Sequence, residues 1–294
     1  MQPARTSSEA AEIPIVLSTF GVIIFAATLP VTKLAMSGQG MSPVFIWAGR
    51  ATIAGILSGL YLWLTGARWP GRNAVVPIGL VVLGVVIAWP LMSSLAMMYS
   101  TPAHLAVLNG VLPFVTAALG AWILKDRQRP RFWVCAALGS CVVSLYAYTR
   151  ADGAWQLADG LMAIGIIVGG LGYIGGAMAA RFCSGPQAIS WGLLFSLPFT
   201  LPTAVVTFDS AVLSNPALPW LAFVYLALMS QWIGFFFWYQ GLQVGGVARV
   251  SQVQLLQLFF TLAFAALLAG DQIDASIVLV AVLTVALIAI GRRR

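Results

Sequence analysis

Charged residues are scarce in this sequence. Only 8% of its 294 residues are Asp, Glu, Lys or Arg, against roughly 25% in soluble domains, and 61% are hydrophobic. Apolar runs of about 20 residues recur along the chain, each long enough to cross a bilayer as a helix. A β-barrel would show short alternating segments instead. We therefore predict an all-α integral membrane protein.

The sequence also lacks the motifs of enzymes, metal sites and nucleic-acid binding. Its three cysteines lie in or beside apolar segments, without the spacing of metal ligands. It shows no phosphate-binding loop, no Asp-rich metal site and no nucleophile elbow. The net charge of +7 comes from Lys and Arg scattered over short loops instead of gathered on one face. We therefore expect no enzyme activity, cofactor, metal or nucleic-acid partner.

The apolar runs predict ten helices that cross the lipid bilayer. Their connections are short and contain turn formers such as Gly185-Pro186, so none has room for a soluble domain. A polar tail, residues 1–12, precedes the first helix and shows no convincing cleavage site for a signal peptide. The expected spans are 13–34, 43–65, 74–99, 102–124, 131–149, 158–181, 187–207, 217–241, 246–269 and 273–291.

The basic residues predict the orientation of these helices. Twelve of the 15 Lys and Arg residues fall on the side of the N-terminus, and short loops rich in positive charge stay in the cytoplasm. Lys33 and Arg150 fall on the opposite side, and Arg50 lies inside a span. We therefore expect both termini in the cytoplasm.

A displacement of 145 residues relates the two halves of the chain. It places Asp126, just past the fourth helix, on Asp271, just past the ninth. Because each half has five helices, 13–150 and 158–291 are predicted to be inverted repeats, and a binding site is expected at their interface. The displacement relates Asn109 to Gln254, Leu112 to Gln257, and Thr116 to Thr261, so two of these three pairs are polar in both halves.

Three features carry a resemblance to a known family. They are Val111-Leu112-Pro113-Phe114 in the fourth helix, the acids just past the fourth and ninth helices, and Ser42-Pro43 followed by Arg50. This pattern, on two five-helix halves, resembles the drug/metabolite transporter superfamily, EamA type, and within it the bacterial aromatic amino-acid exporters. The resemblance implies a protein of the bacterial cytoplasmic membrane, with a central cavity lined mainly by helices 1, 3, 4, 6, 8 and 9. The sequence departs from the common pattern at Lys125-Asp126, where Gly-Glu is usual, and at Phe195, where a second arginine would match Arg50.

Polar side chains of the fourth and ninth helices are the first candidates for substrate binding. Amides both donate and accept hydrogen bonds, so they suit the amino and carboxylate groups of a substrate. The alternative is that they join helices, at about 0.6 kcal/mol per hydrogen bond. The candidates are Asn109, Gln254, Gln257, Thr116 and Thr261.

Aromatic side chains inside the third and eighth helices are the second group. Trp89 lies within the third helix, while Gln231, Phe235 and Trp238 recur at i, i+4 and i+7 on one face of the eighth. Turned inward, these faces would form a pocket for a flat ring. The alternative is packing between helices or against lipid.

Three further residues, Pro90, Pro113 and Arg50, have a candidate gating or structural role. Pro90 and Pro113 permit kinks that a gate could use. Arg50 could hold a carboxylate or act within the scaffold, and we favour a scaffold partner. His104, the only histidine, opens the fourth helix at the outer surface and is expected to be solvated.

Taken with the family resemblance, which implies the export, these features predict a carrier that exports aromatic amino acids and similar small amphipathic metabolites by alternating access. Because no Asp or Glu lies well inside a span, we expect transport driven by the substrate gradient, without ATP and without a proton relay. The alternatives are export of other amino acids or flat organic cations, and a passive channel, which would need a continuous polar lining. We expect a monomer, with an oligomer as the alternative.

Overall fold

Helices account for all the regular structure in the computed structural model over the residues that it describes, namely 7–123, 125, 129–150, 156–245 and 253–292. These residues form ten long helices, several of them built from consecutive segments. They are α1 (Ser7–Ala26 and Thr28–Met36), α2 (Pro43–Leu64), α3 (Val75–Val81, Val82–Ala88 and Trp89–Ala96), α4 (Pro102–Asn109 and Leu112–Ile123), α5 (Pro130–Arg150), α6 (Leu157–Ala179), α7 (Gly185–Val206), α8 (Ala217–Tyr225, Leu226–Ile233 and Gly234–Gly245), α9 (Leu255–Ala269) and α10 (Ala275–Arg292).

The helix lengths agree with a protein that crosses the membrane many times. Seven of the helices are long and apolar enough to span a bilayer, and the described parts of α5, α9 and α10 are shorter apolar helices. The first helix begins at Ser7, six residues before the predicted start at 13, and α8 continues to Gly245 instead of ending at 241. The predicted start of the ninth helix at 246 and the acid Asp126 lie outside the described residues.

Local capping explains where several helices begin. Ser42 Oγ accepts a hydrogen bond from the Phe45 amide at 3.1 Å, and a proline follows at the first helical position of α2. Before α7, the side chains of Ser184 and Gln187 each accept from the other's backbone amide. Such caps satisfy backbone donors that the apolar bilayer could not.

Contacts between loops sort the helix ends into two groups. The amide of Gln39 donates to Asn215 Oδ1 at 2.7 Å, joining the α1–α2 loop to the α7–α8 loop. At the opposite end, Gln243 Nε2 of α8 donates to Ala180 O at 3.1 Å, beside the α6–α7 loop. The ends therefore alternate as expected for antiparallel neighbours. We call the end with Gln39 the outer end, following the charge distribution.

The packing follows a two-fold pattern that relates the halves of the chain. Helix α1 packs on α8, and its counterpart α6 packs on α3, which is the counterpart of α8. Likewise α2 packs on α7, α4 on α9 and α5 on α10, each against its own counterpart. This is the arrangement of two five-helix repeats with inverted topology.

Both halves contain a wide helical turn at an equivalent position. Val82–Ala88 of α3 and Leu226–Ile233 of α8 are π-helical, and a displacement of 145 residues carries residues 82–88 onto 227–233. In α3, Pro90 cannot donate to the carbonyl of Val86, and that oxygen accepts from Trp47 Nε1 at 2.9 Å. In α8, Ser230 and Gln231 stand within the wide turn. Single π turns inside α-helices occur frequently at functional sites.

Glycines allow α3 and α6 to approach at backbone distance. A Cβ atom built on Gly172 would lie 2.8 Å from the backbone nitrogen of Val85, and one built on Gly84 would meet the backbone of Gly172. This explains part of the glycine crowding in α6, since small residues let membrane helices pack closely. The contact fixes α6 against the π turn of α3.

The close approach predicts a large difference between two alanine substitutions in one helix. Gly172→Ala should lower the unfolding free energy by about 1 to 3 kcal/mol, because backbone must shift to admit the methyl group. Gly160→Ala, in the same helix with nothing within 4 Å, should be neutral or slightly stabilising. Thermal unfolding of the purified protein in detergent measures both. Equal stability of the two variants would contradict this packing.

Candidate functional site

A cavity lies between the two halves of the bundle, and we call it the central cavity. It is narrow: about 420 Å³ is free of protein atoms, open solvent included, and only about 30 Å³ of this admits the centre of a water-sized sphere. Seven helices line it, namely the six that the resemblance implies and also α2. The lining residues are Phe25 and Thr28 of α1, Arg50 of α2, Val85, Trp89 and Pro90 of α3, Asn109 and Leu112 of α4, Gly169 and Tyr173 of α6, Ser230, Gln231 and Phe235 of α8, and Gln257 of α9.

Arg50 is the one basic residue in the described lining of this cavity. Its side chain is only 2% exposed, and Nη2 donates to Ser230 Oγ at 2.9 Å. Ser230 Oγ also lies 2.8 Å from Thr28 Oγ1, so three helices meet through these side chains. The Nε and Nη1 atoms of Arg50 have no hydrogen-bond partner among the described residues. The sequence favoured a scaffold role for Arg50 over carboxylate binding. The structure gives the side chain a partner in the scaffold, Ser230, and also places Arg50 in the cavity lining.

Asn109 of α4 and Gln257 of α9 line the central cavity. Asn109 Oδ1 accepts a hydrogen bond from Trp89 Nε1 at 3.0 Å, which fixes the indole against the amide. The Oε1 atom of Gln257 is buried without a hydrogen-bond partner among the described residues. Since buried polar atoms are nearly always paired, an unpaired amide oxygen at a cavity suits a ligand donor.

A second, smaller cavity lies between α4, α9 and α10, and the other predicted polar residues of α9 line it. Gln254, Gln257 and Thr261 line it together with Asn109 and Pro113. The predicted single cavity is therefore two, and Asn109 and Gln257 line both. Gln254 and Thr261, one turn before and after Gln257 on α9, line only the second cavity.

Thr116 enters neither cavity. Its hydroxyl oxygen is buried without a hydrogen-bond partner among the described residues, and it lies beside Gly170 of α6. Thr116 and Thr261 occupy corresponding positions of α4 and α9, but Thr116 lies against α6 whereas Thr261 lines the second cavity.

The aromatic wall of the central cavity lacks one predicted residue, Trp238, and gains two others, Phe25 and Tyr173. Trp89 and Phe235 line the cavity, as do Phe25 and Tyr173. Trp238 is outside this lining; it is 2% exposed and packs against Tyr173 with ring centroids 5.7 Å apart. The prediction assumed regular α-helical spacing from Gln231, and the π turn ahead of Gly234 alters that spacing.

Gln231 connects the two wide turns across the interface of the repeats. Its Nε2 atom donates to Val85 O at 3.0 Å, a carbonyl within the π turn of α3. The backbone acceptor and the amide donor therefore satisfy each other in an apolar environment. Gln231 consequently has a structural role besides its place in the cavity lining.

Among the lining residues that the sequence did not single out are Thr28, Tyr173 and Ser230. Thr28 and Ser230 are small hydroxyl residues, which ordinarily bond to their own helix backbone, so nothing singled them out. Tyr173 stands between glycines of α6, and a polar aromatic residue in a glycine-rich face is the signal that could have found it.

His104 is buried, not solvated as predicted. Its Nε2 atom lies 2.8 Å from Asp159 Oδ1 at the start of α6, and its ring stacks on Tyr146 of α5. The starts of α4 and α6 adjoin at the outer end, so His104 contacts the carboxylate of Asp159 and is largely shielded from solvent. Beside them, Asp271 Oδ2 accepts from the Ala103 amide at 2.7 Å and ties the end of α9 to the first turn of α4.

The buried contact of His104 with Asp159 predicts a measurable coupling. Replacing one partner alone by leucine leaves a buried polar group unpaired and should cost about 3 to 5 kcal/mol of stability. The double variant His104→Leu with Asp159→Leu should cost less than the sum of the single variants. Unfolding in detergent of all three proteins gives the coupling free energy. Additive losses would mean that the two residues do not interact.

Comparisons with known proteins agree with the fold. The sequence profile of the EamA-like transporter family matches residues 13–148 and 156–290, so it matches each half separately. The chain is 40% identical over 275 residues to "Uncharacterized transporter YdeK" of Bacillus subtilis (strain 168), covering 93% of this chain and 94% of that protein. A solved crystal structure aligns with a TM-score of 0.65 over 96% of both chains at 20% identity, a likeness of fold alone.

Proposed function

The chain belongs to the EamA-like transporter family, and from this premise we propose that it exports aromatic amino acids and similar small amphipathic metabolites by alternating access. The family and the relative of Bacillus subtilis make it a multi-pass membrane transporter. The cargo, the direction and the mechanism are our proposal.

The central cavity carries this proposal. Gln257, whose Oε1 atom is an unpaired acceptor suited to an ammonium group, lines the same cavity as Trp89, Tyr173 and Phe235. Aromatic walls with a few placed polar groups are typical of sites for flat, amphipathic ligands. Both repeats contribute residues, as expected of a site that is exposed to each side of the membrane in turn.

Two alternatives fit the cavity less well. A flat organic cation would be repelled by Arg50, and no carboxylate belongs to the described lining that could pair with it. A passive channel requires a continuous polar lining, whereas aromatic and aliphatic side chains interrupt this one.

We further propose that transport is not coupled to protons. Proton-coupled carriers use buried carboxylates as relays. In the described part of the chain, Asp159 and Asp271 lie at the outer end, where each holds a helix start, and neither lines the central cavity.

Exchange in proteoliposomes tests the function directly. Vesicles that contain the purified protein and unlabelled phenylalanine should take up labelled phenylalanine or tryptophan faster than protein-free vesicles, with equal rates in the presence and absence of a pH gradient. Exchange only of aliphatic amino acids would replace the proposed cargo with another of the same class. Acceleration that depends on the pH gradient would contradict uncoupled transport.

The aromatic wall predicts a selective loss. Trp89→Ala should reduce the exchange of phenylalanine and tryptophan more than that of alanine, because the stacking surface is removed, and about tenfold is expected from a contact of 1 to 1.5 kcal/mol. Trp122→Ala is the matched control, since this tryptophan is 79% exposed on the outside of the bundle. Competition by unlabelled amino acids measures the preference. An equal loss for aromatic and aliphatic substrates would mean that the Trp89 ring only packs helices.

A further inference from the structure

We propose that Arg50, oriented by Ser230, forms a carboxylate-binding subsite in the central cavity, so that the cargo is a small molecule with one carboxylate. The proposal rests on the proposed function, because it takes the central cavity as the place where cargo binds. It goes further by assigning an atom group of the cargo to a residue of the chain.

The guanidinium group has donors to spare where a ligand would bind. Of its five N–H groups, those on Nε and Nη1 have no hydrogen-bond partner among the described residues, although the side chain is only 2% exposed. Only one described contact, from Nη2 to Ser230 Oγ, is made by the head group. Arg50 and Gln257 are the two residues of the described lining with such unpaired buried atoms.

The charge of Arg50 is also uncompensated. No salt bridge joins it to an acid among the described residues, and no described lining residue is acidic. A buried charge is stable only when it is paired and hydrogen-bonded, so a lone guanidinium at a cavity favours an anionic ligand. One cation matches one carboxylate, and the described lining offers no second basic side chain for a dianionic phosphate.

The subsite spans the two repeats. Arg50 belongs to α2, Thr28 to α1, and Ser230 to the π turn of α8. Ser230 Oγ contacts both of the other side chains, at 2.9 Å and 2.8 Å. An anion that binds the guanidinium group of Arg50 would therefore contact a side chain of the first repeat that Ser230 of the second repeat holds in place. Phe195, at the position in the second half equivalent to Arg50, is 46% exposed on α7, so the subsite is single and not duplicated.

A matched pair of ligands tests this assignment. 3-Phenylpropanoate and 3-phenylpropanamide have nearly the same shape and differ in charge. In detergent-purified protein, the carboxylate should raise the unfolding temperature and the amide should bind at least about ten times more weakly, since hydrogen bonds to a charged group are lost. Arg50→Met should reduce this preference to about twofold or less.

Two further variants separate binding from folding. Lys33→Met removes a positive charge at the outer end, where Lys33 Nζ lies 3.5 Å from Met97 O, and should keep the preference intact. Ser230→Ala keeps the charge but removes the contact that orients it, and should weaken the preference partly. Arg50→Met itself should unfold at a temperature no lower than the unmodified protein, because Ser230 and Thr28 remain paired with each other.

Each outcome decides the proposal. A preference for the carboxylate that disappears in Arg50→Met supports it, even if phenylalanine is not exchanged, in which case the subsite stands and the proposed cargo fails. Equal binding of the two ligands, binding of neither, or a preference that survives in Arg50→Met overturns it. A large fall in the unfolding temperature of Arg50→Met would identify the residue as a scaffold element and would also count against it.

Discussion

The hydrocarbon interior of a membrane offers no hydrogen-bond partner, so the polar groups of the helices must form hydrogen bonds with other groups of the protein. Trp47 donates to Val86 O, Gln231 donates to Val85 O, and Trp232 Nε1 donates to Ser190 Oγ. Within the described ranges, several buried hydroxyls and indoles have no hydrogen-bond partner, but in the lining of the central cavity only Arg50 and Gln257 have unpaired buried atoms. The same condition that holds the helices together therefore marks the cavity atoms that are available to a ligand.

Much of the fold could be predicted because membrane helices carry a strong signal. Runs of apolar residues gave ten spans, short loops gave antiparallel neighbours, and an odd number of helices per repeat required inversion. The π turns were not foreseeable in the same way. Pro90 suggests a disturbance in α3, yet α8 has Phe235 at the equivalent position and nothing in its apolar sequence indicates a wide turn.

The residues of the site could be predicted only where the 145-residue displacement between the repeats is enough to place them. Asn109 and Gln257 could be placed near each other because the repeat relates α4 to α9, and the structure brings both into the central cavity. The surroundings of Arg50 and His104 depend on which helices lie beside them. Ser230 is 180 residues from Arg50, and Asp159 is 55 residues from His104, so neither contact follows from periodicity. Trp238 was predicted to line the cavity from the regular α-helical spacing of α8, but the π turn at Leu226–Ile233 breaks that spacing and Trp238 lies outside the lining.

The paired π turns also say something about how the molecule arose. A proline accounts for the wide turn in the first half, but the second half keeps the turn without a proline. Few side chains match between the halves, while the irregularity of the backbone matches to within a residue. This is expected if an ancestral five-helix unit already contained the wide turn when its gene was duplicated, and if the later drift of side chains was constrained by the need to preserve it. The second half thus keeps a wide turn at the equivalent position without the proline that accompanies the turn in the first half.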